Sequence, residues 1–179
     1  MAAAQEMIIR GVKFTMSDIA KHLSVSKTSL YEHFSSKNEL IHNIIMMAIE
    51  DVNNQEEAIY NSSLSIAEKL PLILKVTPTV FGPINNHRLL EELQQFYPDE
   101  FQSIESFRTK QMDRLIALIA EGIENGTVRS VDLSVLRQII FGTMDLFSYK
   151  FLTEKNKTFP DALAAMADIV VNGLLPRET

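Results

Sequence analysis

The sequence predicts an all-α protein of about nine helices, with a small domain over residues 1–45 and a larger one over residues 46–179. Apolar residues recur at helical intervals along the whole chain, and no segment shows the strict alternation that is typical of a strand. Apolar residues make up 46% of the composition, while glycine and proline number only six each. These observations favour a packed helical core with short connections.

Capping residues and helix breakers mark the predicted elements in order. A first helix covers about 2–10, a second begins after the cap Thr15, and a third begins after Ser26. A fourth begins at Ser36-Lys37-Asn38-Glu39, which has the capping-box pattern, and continues to about Tyr60. The remaining helices are predicted over 64–82 (interrupted by Pro71 and Pro78), 86–97, 98–125, 132–152 and 159–175.

Composition argues against several classes of protein. No run of 18 apolar residues suggests a membrane span, no leader pattern is visible, and the lack of cysteine excludes disulfides and fits a cytoplasmic protein. No glycine-rich phosphate loop or nucleophile set is present, and the four histidines are spaced poorly for a helical metal site. We therefore expect no enzyme activity, no catalytic residue, no cofactor and no metal.

Charge differs between the two predicted domains. Residues 1–45 carry five Lys and Arg against four acids, a net charge of +1, whereas the rest carries 12 basic and 19 acidic residues, a net charge of −7. This asymmetry suggests that the two domains have different tasks.

The second and third helices are each under ten residues and are joined at Ser24-Val25, so neither is stable alone. Ile19, Ala20, Leu23, Val25, Leu30 and Phe34 are predicted to point inward and lock the pair crosswise. The outward face of the third helix is rich in hydroxyls and weakly cationic, which suits a helix that enters a DNA major groove. The alternative is a solvated helical pair whose polar face has no function.

Two strings within this region, Phe14–Ala20 and Val25–Leu40, closely resemble the helix-turn-helix DNA-binding domain of the TetR/AcrR family of transcription regulators. The resemblance implies three DNA-binding helices followed by a helical domain that dimerises and binds a ligand. Lys37 would hold a phosphate. The sequence departs from the family pattern at two positions: Ser24 replaces the usual turn glycine, and Thr28 stands where the family usually has a smaller residue, commonly glycine. By motif position, the DNA-binding residues would be Thr15, Ser17, Lys27, Thr28, Ser29, Tyr31, His33 and Lys37.

The resemblance also implies an effector cavity in the larger domain. Phenylalanine and methionine would form adaptable apolar walls, and a few polar groups would orient a small molecule. Asp145 lies within an apolar helix face, where it could pair with a cationic ligand or with a neighbouring Arg or Lys. The candidate lining residues are Phe81, His87, Phe107, Gln111, Phe141, Met144, Asp145 and Phe147. The alternative is that these side chains form ordinary core.

The last two predicted helices are apolar over more than one side and must be covered on both. A dimeric four-helix bundle, with two helices from each chain, would cover them; the alternative is a monomer with both helices inside. The candidate interface residues are Leu136, Ile140, Phe147, Phe151, Met166, Ile169 and Val170.

Taken with the resemblance, these features predict a ligand-responsive homodimer that binds a double-stranded DNA operator. It would act as a repressor that a small apolar or amphipathic effector releases from DNA. The alternative is a degenerate family member that binds a ligand or a partner protein without specific DNA binding.

Overall fold

A computed structural model describes residues 11–79, 87–147 and 149–174, and the helices in these ranges confirm the predicted all-α class. No strand occurs within these ranges, and the helix predicted over 2–10 lies outside them. The nine helices of the described ranges are α1 (Met16–His22), α2 (Lys27–His33), α3 (Lys37–Tyr60), α4 (Ile66–Ile73), α5 (His87–Phe96), α6 (Pro98–Glu124), α7 (Leu133–Leu146), α8 (Tyr149–Glu154) and α9 (Phe159–Leu174).

Side-chain caps fix the starts of the first three helices. Thr15 and Asp18 form a capping box, in which the Asp18 N–H donates to Thr15 Oγ1 (3.2 Å) and the Thr15 N–H donates to the Asp18 carboxylate (2.8 Å). Ser36 Oγ accepts the Glu39 N–H at 3.1 Å, as predicted. The Glu39 carboxylate, however, accepts the N–H of Ser35 at 2.8 Å instead of that of Ser36, so the predicted box at Ser36 is only half formed.

Two predicted helices are shorter than expected. The helix predicted over 64–82 covers only Ile66–Ile73, and Leu74 is its C-cap, with its N–H donating to the Leu70 carbonyl. The helix predicted over 132–152 is split into α7 and α8. At the break the Phe147 N–H donates to the carbonyl three residues back, and the Phe147 ring packs edge-on against Phe159 with centroids 6.2 Å apart.

Two apolar clusters form the core. The first joins buried residues of 12–48 to Leu89, Leu93 and Tyr97, so α5 and the residue after it pack directly against the N-terminal helices. The second joins side chains of α4, α6, α7 and α9, with the end of α3 packed against it. Helix α3 therefore extends from one cluster to the other.

Two side chains expected in the first cluster are exposed. Leu23 and Val25 are 39% and 43% exposed, because α1 ends at His22 and the chain turns sharply at Ser24. Within the described ranges, no helix is both long and apolar enough to cross a bilayer, and no group of three potential metal ligands occurs.

Candidate functional site

Helices α1 and α2 form a helix-turn-helix whose inner face is buried against the core. Ile19 and Ala20 of α1 and Leu30 of α2 are all buried in the first cluster. The turn between the helices requires Ser24 to adopt a left-handed conformation with φ +55°, the region that glycine occupies more readily. The absence of the usual glycine at this position therefore leaves local strain in the turn.

The outward face of α2 holds most of the residues predicted to contact DNA. Lys27, Thr28, Tyr31 and His33 are exposed, and Ser17 and Ser29 lie beside them. Thr15 is exposed as well, but its hydroxyl is bound to Asp18 in the cap of α1. The exposed and partly exposed groups are thus a lysine, hydroxyls and an imidazole on α2, with the hydroxyl of Ser17 on α1.

The Lys37 side chain lies differently from the expectation, because its ammonium points inward. Its Nζ donates to the Val12 carbonyl at 2.5 Å and lies 4.7 Å from the centre of the Phe14 ring and 5.9 Å from that of Tyr97. Burial lowers the pKa of Lys37, and the charge of Glu92 acts in the opposite direction. A phosphate contact by this ammonium would require it to leave these partners.

Sequence reasoning missed Glu92 of α5, which binds the other side of the same peptide segment. The Val12 N–H donates to Glu92 Oε2 at 2.7 Å, and Glu92 is 8% exposed. Gly11 makes this approach possible, since a Cβ at that position would overlap the same oxygen. We call Glu92, Lys37 and the Val12 backbone the Val12 clamp. An acid among the leucines of α5 was the available sequence signal.

A cavity of about 450 Å³ lies between α3, α5, α6 and the region from α7 to α9. Four predicted pocket residues, Phe107, Gln111, Met144 and Phe147, line it, and Phe141 lines an adjoining cavity of about 80 Å³. Phe81 and the side chains of His87 and Asp145 lie outside the described part of the chain. The apolar wall includes Ile45, Ala48, Ile49, Val52, Leu89, Leu90, Leu93, Phe101, Ile104, Phe159 and Leu163.

The polar groups near the cavity are partly paired with one another. Arg108 lies on the cavity wall and binds Glu105 at 2.8 Å, with its guanidinium 5.5 Å from the Phe141 ring centre. Gln111 donates to Glu56 Oε1 at 2.8 Å. Glu56 is 3% exposed, and its burial raises the pKa of its carboxyl group. Sequence reasoning missed Glu56, although an acid on the apolar side of α3 was visible.

The predicted dimer residues separate into two groups. Leu136, Ile140, Met166 and Val170 are buried in the chain's own second cluster, because the helices rotate these positions inward. Phe147 is half-buried, whereas Phe151 and Ile169 are exposed.

The apolar side chains that the chain leaves uncovered on α7 are one position away from the predicted ones. Val135, Ile139 and Leu146 are more than half exposed, and Ile169 of α9 is 72% exposed. Gly142 on the same side of α7 has open space around it. The uncovered stripe of α7 is therefore the better interface candidate.

The N-terminal geometry agrees with a sequence comparison. The family described as bacterial regulatory proteins, tetR family, matches residues 1–44. The N-terminal part of the chain, which holds α1 and α2, therefore matches the tetR family of regulatory proteins. The uncharacterized HTH-type transcriptional regulator YvaF of Bacillus subtilis is 26% identical over 171 residues, covering 94% of this chain and 90% of that protein.

Solved structures of transcription regulators have the same fold as the described part of the chain. PfmR from Thermus thermophilus superposes with a TM-score of 0.72 at 20% identity and covers 98% of both chains. FadR from Bacillus subtilis, solved in complex with stearoyl-CoA, superposes with a TM-score of 0.66 at 24% identity and covers 96% of this chain and 95% of its own. These likenesses show that the described helices have the fold of these regulators, with α1 and α2 within the part that the family match covers.

Proposed function

We propose that this TetR-family regulator is a homodimeric repressor that binds a bacterial operator through α2 and is released by an amphipathic effector with an alkyl or acyl chain. The observation that carries the proposal is the position of α5. One side of this helix lines the 450 Å³ cavity, and the other holds the backbone of Val12 ahead of the DNA-binding helices. An occupant of the cavity therefore touches the same helix that orients the DNA-binding pair.

The cavity wall supports the choice of an alkyl or acyl effector. Its surface is formed mainly by leucine, isoleucine and phenylalanine side chains, and each methylene that leaves water to enter such a site contributes about 0.8 kcal/mol. Arg108 and Gln111 are among the polar residues of the wall, together with Thr77, Glu91, Gln94 and Glu105. The stearoyl-CoA bound by FadR, a protein of the same fold, supports the same ligand class.

The uncovered stripe on α7 supports the homodimer. Val135, Ile139 and Leu146 would pack against their counterparts and against Ile169, so that α7 and α9 of two chains form a four-helix bundle. A symmetric dimer presents two copies of α2, which can enter successive major grooves about 34 Å apart. The operator would accordingly contain two inverted half-sites.

Two helices carry the coupling from cavity to DNA. Helix α3 lines the cavity with Ile45, Ala48, Ile49 and Val52 and begins at Lys37, while α5 lines it with leucines and carries Glu92. Both helices meet at the Val12 clamp. A ligand that shifts either helix changes the position of α1 and α2, and coupling of about 1–3 kcal/mol would suffice for release.

A second candidate function is ligand or partner binding without specific DNA recognition. It is favoured by the small net charge of residues 1–45, +1, and by the inward position of the Lys37 ammonium. Binding that is weak on all DNA and independent of sequence would support this alternative.

A gel-shift experiment tests the proposal. The DNA upstream of the protein's own coding region serves as probe, a shuffled fragment of equal length as control, and lauroyl-CoA as effector with free coenzyme A as its control. We expect tighter binding to the upstream DNA and a weakening of about 5- to 150-fold by lauroyl-CoA only. Equal binding to both fragments would contradict the operator, and an unchanged shift with lauroyl-CoA would contradict release by an acyl ligand.

A further inference from the structure

Glu56 stands apart from the other acidic residues of the cavity region because part of its carboxylate has no partner in the described part of the chain. It lies on α3, between the adjoining 80 Å³ cavity and a groove of about 560 Å³ between α3 and α6. Gln111 lines both of these spaces and also the cavity of about 450 Å³, so the Glu56–Gln111 pair marks the point where all three meet. We call this pair the polar junction.

The hydrogen bonds at the polar junction are incomplete. Gln111 satisfies Glu56 Oε1, but among the described residues Oε2 is buried without any hydrogen-bond partner, and so is the hydroxyl of Tyr60 one helical turn further along. Buried polar atoms in folded proteins are nearly always hydrogen-bonded, so an unpartnered carboxylate oxygen next to a cavity suggests a partner from outside the chain.

The neighbouring described cations bind other carboxylates instead. Arg114 binds Glu57 at 2.8 Å and stacks over the Tyr60 ring at 4.1 Å, and Arg108 binds Glu105 at 2.8 Å. Each guanidinium is thus balanced by another carboxylate. The charge of Arg114 still acts on Glu56, where it opposes the rise in pKa caused by burial. What Glu56 Oε2 lacks among the described residues is a hydrogen-bond donor.

We propose that Glu56 Oε2 accepts a hydrogen bond from an N–H or O–H group of the effector, with an ammonium or amine preferred over a hydroxyl. This inference rests on the proposed function, since it names the polar group of the ligand whose chain fills the cavity. An ammonium would supply the missing donor and a positive charge beside the carboxylate, and a hydroxyl would supply the donor alone. A free carboxylate would supply neither and would face Glu56 with a like charge.

A series of three probes with one chain length tests the inference. Decylamine, 1-decanol and decanoate are titrated at about pH 7.5 into the full-length protein by calorimetry, without DNA and below the concentrations at which they form micelles. We expect decylamine to bind most tightly and decanoate at least about tenfold more weakly. Tighter binding of decanoate, or no binding by any probe, would overturn the inference.

Two variants separate recognition from cavity shape. Glu56→Gln keeps the side-chain size and an acceptor oxygen, so 1-decanol should bind within about threefold of wild type while the preference for decylamine falls at least about tenfold. Glu121→Gln removes the same charge from an exposed position on α6 and should change nothing. If Glu56→Gln weakened all three probes equally, the residue would only shape the cavity and the inference would be wrong.

The two proposals fail in different assays. The probe series measures binding in the absence of DNA, whereas release is measured by the gel shift with lauroyl-CoA. Loss of the amine preference with release intact overturns only the role of Glu56. Release that fails while the amine preference holds overturns only the proposed function.

Discussion

The Val12 clamp gives the most specific prediction for stability. Glu92→Ala removes the acceptor of a 2.7 Å hydrogen bond and leaves the N–H of Val12, which is 2% exposed, without that partner. A charge-assisted bond of this kind contributes about 1.5–3 kcal/mol, and the loss should lower Tm by about 3–12 °C for a chain of this size. Gln95→Ala, at an exposed position on the same helix, is the control and should stay within about 0.5 kcal/mol of wild type.

Gly11→Ala should cause a loss that overlaps with that of Glu92→Ala. Gly11 has φ +112°, and a Cβ there would overlap Glu92 Oε2, so the substitution forces the carboxylate away from Val12. Each substitution by itself removes the hydrogen bond from the Val12 N–H to Glu92, so the double variant Gly11→Ala/Glu92→Ala loses that bond only once. The combined loss should therefore fall short of the sum of the single losses by about 1.5–3 kcal/mol.

Thermal and urea unfolding at one fixed protein concentration measure this cycle, because the Tm of the proposed dimer would depend on concentration. Losses that add to within about 0.5 kcal/mol would refute the reasoning, since independent sites behave in that way.

Four further predictions concern single positions. Ser24→Gly should raise the free energy of unfolding by about 0.5–1 kcal/mol, read from urea unfolding, because Ser24 has φ +55°; a loss would contradict strain at the turn. Ile139→Glu should convert the dimer to a 20.3 kDa monomer in light scattering, while Gln138→Glu beside it should not. Lys27→Ala or Tyr31→Phe should weaken operator binding by about 1–3 kcal/mol without lowering Tm, and Glu32→Gln serves as the surface control. Glu56→Gln should be more stable than wild type above the ordinary titration range of glutamate and equal to it below. The reason is that burial raises the pKa of Glu56 in the folded protein, so the free energy of unfolding of the wild type falls as pH rises above the ordinary pKa of glutamate. Tm profiles of wild type and variant that stay parallel between about pH 4 and pH 8 would contradict this.

The sequence was sufficient for the class of fold because its periodicity and caps are local signals. The caps at Thr15 and Ser36 and the apolar face of α3 all act within a few residues. The split between α7 and α8 could not be predicted in this way. It has no proline or glycine at the break, and it coincides with the packing of Phe147 against Phe159, twelve positions later in the chain.

The candidate site was predictable in its outward residues and less so in its inward ones. Lys27 and Tyr31 are exposed on a short helix, and a motif places them without further information. The inward position of Lys37 depends on Val12 and Tyr97, and the partner of Glu92 lies 80 positions away. The proposed dimer face was harder to predict, because the last two predicted helices are apolar on more than one side. Periodicity alone could not determine which of these sides packs inside the same chain and which is left exposed.

The central claim is that cavity and DNA-binding helices are energetically coupled, and a linkage cycle tests it most directly. The affinity for operator DNA is measured with and without lauroyl-CoA, and the affinity for lauroyl-CoA with and without operator, both by fluorescence anisotropy. Coupling is reciprocal, so the two fold-changes must agree, and we expect a common value between about 5 and 150. Two affinities that are each unchanged by the other ligand would contradict the account.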